Sequence, residues 1–243
     1  MKLSYNTRRK IVNDIFNKYN INSVDRDIIV EVIKPIVSHP EFKRRLTHEF
    51  LHHDKVTLGY HILEDTIVTF NLCKKKKLTK EQTEIAMKIA ILHDLYVEPW
   101  QNNPTAKDDK LFNKHGFRHP IEAVVNAITW FPELFTDDNE AIIIIDGIIH
   151  HMFPFPVMSV DSSNYRDLQL NNLDAFLKLD DKYKNLIYKS CSRKKIKRLS
   201  FASSNYIEGK LMRKADKISS LDNFSSLRGI IALITGINSH IER

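Results

Sequence analysis

The run "EIAMKIAIL", built for a buried helix face, ends in His93 and Asp94 side by side. An imidazole next to a carboxylate at the end of an apolar helix is a chemical pairing as well as a structural one. It is not isolated. His61, His119, the doublet His150 and His151, and Asp216 also fall at or near the ends of predicted helices or beside their apolar stripes. Imidazole and carboxylate without thiolate suit divalent ions of borderline or harder character: manganese and iron first, with magnesium and zinc as further candidates. Five histidines and two aspartates exceed the needs of one ion. Two ions about 3.5–4 Å apart can share a bridging carboxylate, here Asp94, and a bridging hydroxide that attacks a phosphoryl group. One such histidine alone is ordinarily structural, serving a helix dipole or a backbone carbonyl; their joint placement is what points to a metal cluster.

The elements that must carry these residues are helical. Glycine is scarce, with 6 residues in 243, and apolar positions recur at helical spacing. Ile11, Ile15 and Tyr19 form one stripe, and Ile28, Val32 and Ile33 another, which predicts helices over residues 1–50 that pack on the core. A helix is predicted from about His61 to Cys73, with Glu64 one turn along able to orient an imidazole and Asp65 equally able to face solvent. Thr79 and Gln82 have the spacing of a capping box and open the helix that ends at His93. The segment "QNNPTAKDDKLFNKHGFRHP" is predicted as a loop, with Pro120 in the first turn of the next helix. Asp137 or Asp138 caps an apolar helix running into His150 and His151, and "FPFP" ends it. Residues 159–204 are less regular and are predicted as an insertion of short helices. The last clear helix places Ile207, Leu211, Ala215, Ile218 and Leu221 on one stripe with Asp216 beside it.

In order, His61, "HD" at 93 and 94, His119, "HH" at 150 and 151, and "AD" at 215 and 216 resemble the HD-domain superfamily of metal-dependent phosphohydrolases. The series is similar to the branch with an H, HD, H, HH, D pattern, which includes bimetallic phosphodiesterases acting on cyclic dinucleotides. "LHDLY" with its "PW" turn and "HGFRHP" also resemble small stand-alone bacterial HD phosphohydrolases. The resemblance spans roughly residues 52–224. It implies an all-α, single compact helical bundle over 51–224 as the phosphohydrolase domain, with 159–204 as a segment that could be inserted before the last ligand helix; the flanking residues are expected as packing helices over 1–50 and a C-terminal helix over 225–243. It also implies two divalent ions, the first on His61, His93, Asp94 and Asp216, the second on His119, His150 and His151, with Asp94 bridging. Asp161, Asp180 and Asp181 are rivals for the place of Asp216. The implied activity is hydrolysis of a phosphoester of a nucleotide or cyclic dinucleotide.

Around this set, Lys114, His115 and Arg118 form a basic trio suited to phosphate oxygens, with Lys114 or Arg118 assisting catalysis. His52 and His53 could face the open side of the site, and Lys214, with Lys210, Arg213 and Lys217, could hold a substrate's phosphates. The net charge of +7 sits largely in "KKKK" at 74–77 and "RKKIKR" at 193–198. The latter lacks interleaved aromatics, so nucleic acid is a weakly supported partner beside a phosphorylated small molecule. Two distant cysteines, the lack of an apolar leader in "MKLSYNTRRK" and the shortness of "AIIIIDGII" predict a cytoplasmic chain without membrane contact, and an oligomer is compatible with all of this. Three rival readings share the sequence: a slow or non-catalytic nucleotide sensor that retains the metal site, a helical nucleic-acid binder with incidental histidines, and a mixed-valent di-iron oxygenase.

Overall fold

The structure, a computed structural model, describes residues 5–53, 56–99, 114–164 and 170–223. The chain is mainly helical, as the scarcity of glycine and the apolar periodicity predict. Helices α1 (Tyr5–Lys18), α2 (Ser23–Ser38) and α3 (Pro40–Arg45) lead into a hairpin of β1 (Leu51–His53) and β2 (Val56–Thr57). Then come α4 (Leu58–Lys76), α5 (Lys80–Leu92), α6 (His115–Trp130) and α7 (Asp138–Ile149). The predicted C-terminal helix at 225–243 and residue Trp100 lie outside the described residues.

Local chemistry sets the helix ends. Thr79 and Gln82 form the predicted capping box of α5, and Asp137 rather than Asp138 caps α7, accepting from the Glu140 amide at 2.9 Å. α4 starts at a Thr57 cap and stops at Lys77, whose φ of 56° takes the left-handed turn that closes a helix. One boundary differs from expectation. α6 begins at His115, so Arg118 and His119 are helical and Pro120 lies inside the helix, not in its first turn. Pro120 costs one main-chain hydrogen bond, and an apolar face with Ile121, Val124, Val125 and Ile128 buried offsets it.

α4 packs on α5 and α10 (Ile207–Asn223), and α7 closes against both α5 and α10. Two glycines permit this close approach. A Cβ at Gly209 would lie 2.9 Å from Gly147 Cα, and one at Gly147 would lie 2.7 Å from Ile89 Cδ1. Helix backbones of α7 and α10 therefore nearly touch, which brings Asp216 of α10 toward α4 and α5.

The segment expected as an insertion, residues 159–204, contains α8 (Leu173–Lys178) and α9 (Asp181–Cys191), as short helices were expected. It also contains two short strands that the residue pattern does not predict, β4 (Lys195–Ile196) and β5 (Leu199–Ser200). With β3 (Val157–Met158), just before the segment, they form a small antiparallel sheet in the order β3-β5-β4. Two-residue strands are too short to leave a period-2 pattern. The insertion is anchored on Asp146 of α7, which accepts from Ser204 Oγ at 2.7 Å, the Asn205 amide at 2.9 Å, Ser190 Oγ at 3.3 Å and the Arg193 guanidinium. No described helix is long and apolar enough to cross a membrane.

Candidate metal centre

Six of the seven expected ligands meet in one buried place. His61 comes from the first turn of α4, His93 and Asp94 from the end of α5, His119 from α6, His151 from just beyond α7, and Asp216 from α10. Asp65 joins them, one turn after His61 and fully buried. The i and i+4 positions of a helix share a face, and α4 turns that face inward.

The separations are those of ligand atoms. His61 Nε2 lies 3.1 Å from Asp65 Oδ2 and 3.4 Å from Asp216 Oδ1, and His93 Nε2 is 3.4 Å from Asp65 Oδ2. On the other side of His93, Asp94 Oδ1 lies 3.3 Å from His119 Nε2 and 3.6 Å from His151 Nε2, and those two nitrogens are 3.0 Å apart. Two atoms each about 2.1 Å from a shared ion sit about 3.0–3.4 Å apart at right-angle to tetrahedral geometry. His61, Asp65, His93 and Asp216 form one group that could hold a metal ion; His93, Asp94 and His151 form another.

The hydrogen-bond inventory shows what the cluster lacks. Nδ1 of His93 faces the Ala90 carbonyl at 2.7 Å, Nδ1 of His151 the Ile148 carbonyl at 2.7 Å, and Nδ1 of His119 the His115 carbonyl at 3.1 Å. A carbonyl only accepts, so each Nδ1 carries a proton and each ring turns its Nε2 toward the cluster. There the Nε2 atoms meet one another and carboxylates. His61 Nε2, Asp65 Oδ2, His93 Nε2 and Asp94 Oδ1 are buried without any hydrogen-bond partner. Buried acceptors facing acceptors are unfavourable unless a cation lies between them. The donor set therefore fits a divalent metal.

In the metal-free chain a proton on His61 supplies part of that positive charge. Burial disfavours the His61 cation, but Asp65, Asp216 and Asp94 outweigh it and hold its pKa up at about 9. Burial, with His93 and His119 nearby, pushes His151 down to about 3, so its nitrogen is available to a metal. Burial would raise Asp94 and Asp216, yet the surrounding imidazoles hold both below the usual carboxylate range. Asp65 is raised, chiefly by burial, although Ser219 Oγ donates to it.

His150 is not among the gathered residues. It caps the end of α7 and turns into the Asp146 anchor, with Ser190 Oγ 3.2 Å and Asp146 Oδ1 3.8 Å from the same Nε2. Because serine and aspartate share one ring nitrogen, this trio cannot relay a proton as a catalytic triad does. Burial pushes His150 down to about 4. Glu64 also faces elsewhere, accepting at 2.6 Å from Nζ of Lys18, the last residue of α1, and at 2.9 Å from OH of Tyr19, which follows it.

The basic trio separates as well. Arg118 is buried with its Nε 3.1 Å from Glu122 Oε1. His115 stacks on His119 at 4.9 Å and is held well below its ordinary pKa by burial and by His119 and Arg118, so it is uncharged at neutral pH. Lys114 stands at the N-cap of α6 and Lys214 is exposed on α10. Lys217 donates to the Phe153 carbonyl at 2.7 Å and Arg213 to Ser203 Oγ at 2.8 Å, which ties both to the turn and loop around α10. The rivals of Asp216 are far from metal chemistry: Asp161 pairs with Lys195, Asp180 caps α9, and Asp181 pairs with Lys184.

Two members had weak signals in the sequence. Asp65 had only its i+4 spacing to His61, a signal that Glu64 at i+3 matched. His52 lies in β1 with its ring stacked on His61 at 3.7 Å and 7°, and it is buried beside the cluster rather than on an open rim. The His53 side chain lies outside the described residues. Comparison of the chain with protein-family models, curated proteins and solved structures finds no match.

Proposed function

We propose that the chain is a metal-dependent phosphohydrolase that uses two divalent ions, manganese or iron before magnesium or zinc, to cleave a phosphoester of a nucleotide or cyclic dinucleotide. The helical bundle with its buried His and Asp cluster is compatible with an HD domain. The observation that supports the reading most is the set of orphaned polar atoms, His61 Nε2, Asp65 Oδ2, His93 Nε2 and Asp94 Oδ1, converging from two chain segments, α4 and the end of α5. Divalent ions at such a set lower the pKa of water and draw charge from a phosphoryl group.

In this reading the chain's own residues divide the work. His61, Asp65, His93 and Asp216 would hold one ion, and Asp94, His119 and His151 the other, with Asp94 next to both groups. The backbone carbonyls of Ala90, His115 and Ile148 fix the three rings in the ligating tautomer before any ion arrives. Asp216, with 15% of its side chain exposed, marks the side from which a substrate reaches the cluster. Lys114, at the N-cap of α6, would meet phosphate oxygens.

Purified protein loaded with manganese or iron and given bis(p-nitrophenyl) phosphate and a nucleotide panel should release product. Asp94→Ala should abolish that release. Stoichiometric metal with no turnover on any phosphoester would replace the enzyme by the nucleotide sensor.

A further inference from the structure

α5 ends at Leu92, so the carbonyls that follow His93 and Asp94 have no helix to pair with. Buried carbonyls need donors, and here two side chains from separate elements supply them. Asn126 Nδ2 of α6 donates to the Leu95 carbonyl at 2.6 Å. The Arg45 guanidinium, at the end of α3, donates to the Tyr96 carbonyl through Nη2 and to the Glu41 carbonyl at 2.6 Å through Nη1.

Arg45 is 0% exposed and lies between the rings of Phe50 and Trp130, each 4.8 Å from the guanidinium carbon. Burial lowers its pKa only to about 10, so it remains a cation at neutral pH. Burying that charge is costly. A neutral amide meets the adjacent carbonyl through Asn126, so hydrogen bonding alone does not account for a cation here. The ion pair with Glu41 Oε2, 3.4 Å from Nη1, does, and it fixes the guanidinium against a carbonyl two residues after Asp94. Asn126 is itself held, accepting from Asn172 Nδ2 at 2.7 Å, while the same Asn172 amide donates to the Glu122 carbonyl at 2.9 Å.

We propose that Arg45 and Asn126 are positioning residues that hold the His93–Asp94 turn at ligating distance by gripping the Tyr96 and Leu95 carbonyls from α3 and α6. Neither touches a ligand atom. They act through the main chain, which makes α3 and the Asn172 segment part of the metal centre's support. The proposal rests on the metal reading of the cluster, and its test separates the two.

Manganese affinity would be measured by isothermal titration of the wild-type chain, Arg45→Met, Arg45→Lys and Asn126→Ala, with each chain's folded state checked by thermal unfolding in chelator. Support from the main chain predicts affinity about tenfold weaker in Arg45→Met and Asn126→Ala, the usual scale for loss of an outer partner, with part recovered in Arg45→Lys. If Arg45→Met does not fold, Arg45→Lys and Asn126→Ala carry the comparison. Wild-type binding with variant affinities within about twofold of it overturns the positioning role and leaves the metal reading intact. A wild-type chain that binds no manganese overturns both.

Discussion

His150 and His151 are neighbours in the chain, yet they enter two buried polar groups of opposite character. Around Asp146, every acceptor meets a donor: Ser190 and Arg193 on Oδ1, Ser204 and the Asn205 amide on Oδ2. Around Asp94, acceptors meet acceptors, with His119 Nε2 and His151 Nε2 3.0 Å apart and Asp94 Oδ1 beside both. The carboxylate of the first group is satisfied by atoms of the chain and anchors Ser190, Arg193, Ser204 and Asn205 on α7. The second is complete only with a cation. A count of buried histidines and aspartates does not distinguish the two groups, whereas the balance of donors and acceptors does.

The largest effect that could break this contrast is at Asp94. Asp94→Ala should lower metal affinity and any phosphoesterase rate by at least about a hundredfold, since even an outer partner is worth 10–100-fold. It should also remove the stabilisation by manganese, which in the wild type reaches about 2.7 kcal/mol at a hundredfold excess over Kd. Thermal unfolding with and without chelator reads this directly; a variant still stabilised by manganese would mean that Asp94 is not a ligand.

Asp146→Ala should show the reverse pattern. Loss of a buried carboxylate that pairs with Arg193 and three further donors destabilises by about 3 kcal/mol, while manganese stabilisation persists in the fraction that folds. Urea unfolding measures the first and metal titration the second. A variant of unchanged stability would put the Asp146 group outside the structural anchor.

Gly209→Ala tests the link between the groups, because its Cβ would press on Ser204 Oγ at 2.5 Å and on Gly147 Cα at 2.9 Å. Moving α10 to relieve that contact should cost about 1–3 kcal/mol and weaken metal binding through Asp216. If stability falls and metal affinity holds, the placement of Asp216 does not depend on this helix contact.

The smallest effect concerns pH. His61 is raised from 6.5 to about 9 in the metal-free chain, so its contribution to stability is present below about pH 6.5 and lost as pH rises through 9. A metal needs the neutral ring, so binding displaces that proton, and affinity should rise by up to about tenfold per pH unit between 7 and 9. Titrations at several pH values, with proton release measured, check the sign; an affinity flat across this window would remove His61 from the ligand set.

Much of the fold was legible in the residues. The capping box at Thr79 and Gln82, the Asp137 cap and the apolar stripes placed α5, α7 and α10 because those signals are local and strong. The ordered series of histidines and aspartates was legible too, because side-chain chemistry does not depend on the fold. Which members turn inward was not. α4 is buried on nearly every side from His61 to Phe70, so its periodicity carries no contrast between faces, and Asp65 could not be told from Glu64 until α1 took Glu64 and α10 faced Asp65. His150 and His151 leave the end of α7 in different directions, and only the packing of α9, α10 and the insertion decides which ring meets Asp146 and which meets Asp94. Sequence by itself determined the helices and the chemical inventory, through local hydrogen bonding and side-chain type. Tertiary structure alone decided the membership of the site, because a ligand set is defined by distances between segments far apart in the chain.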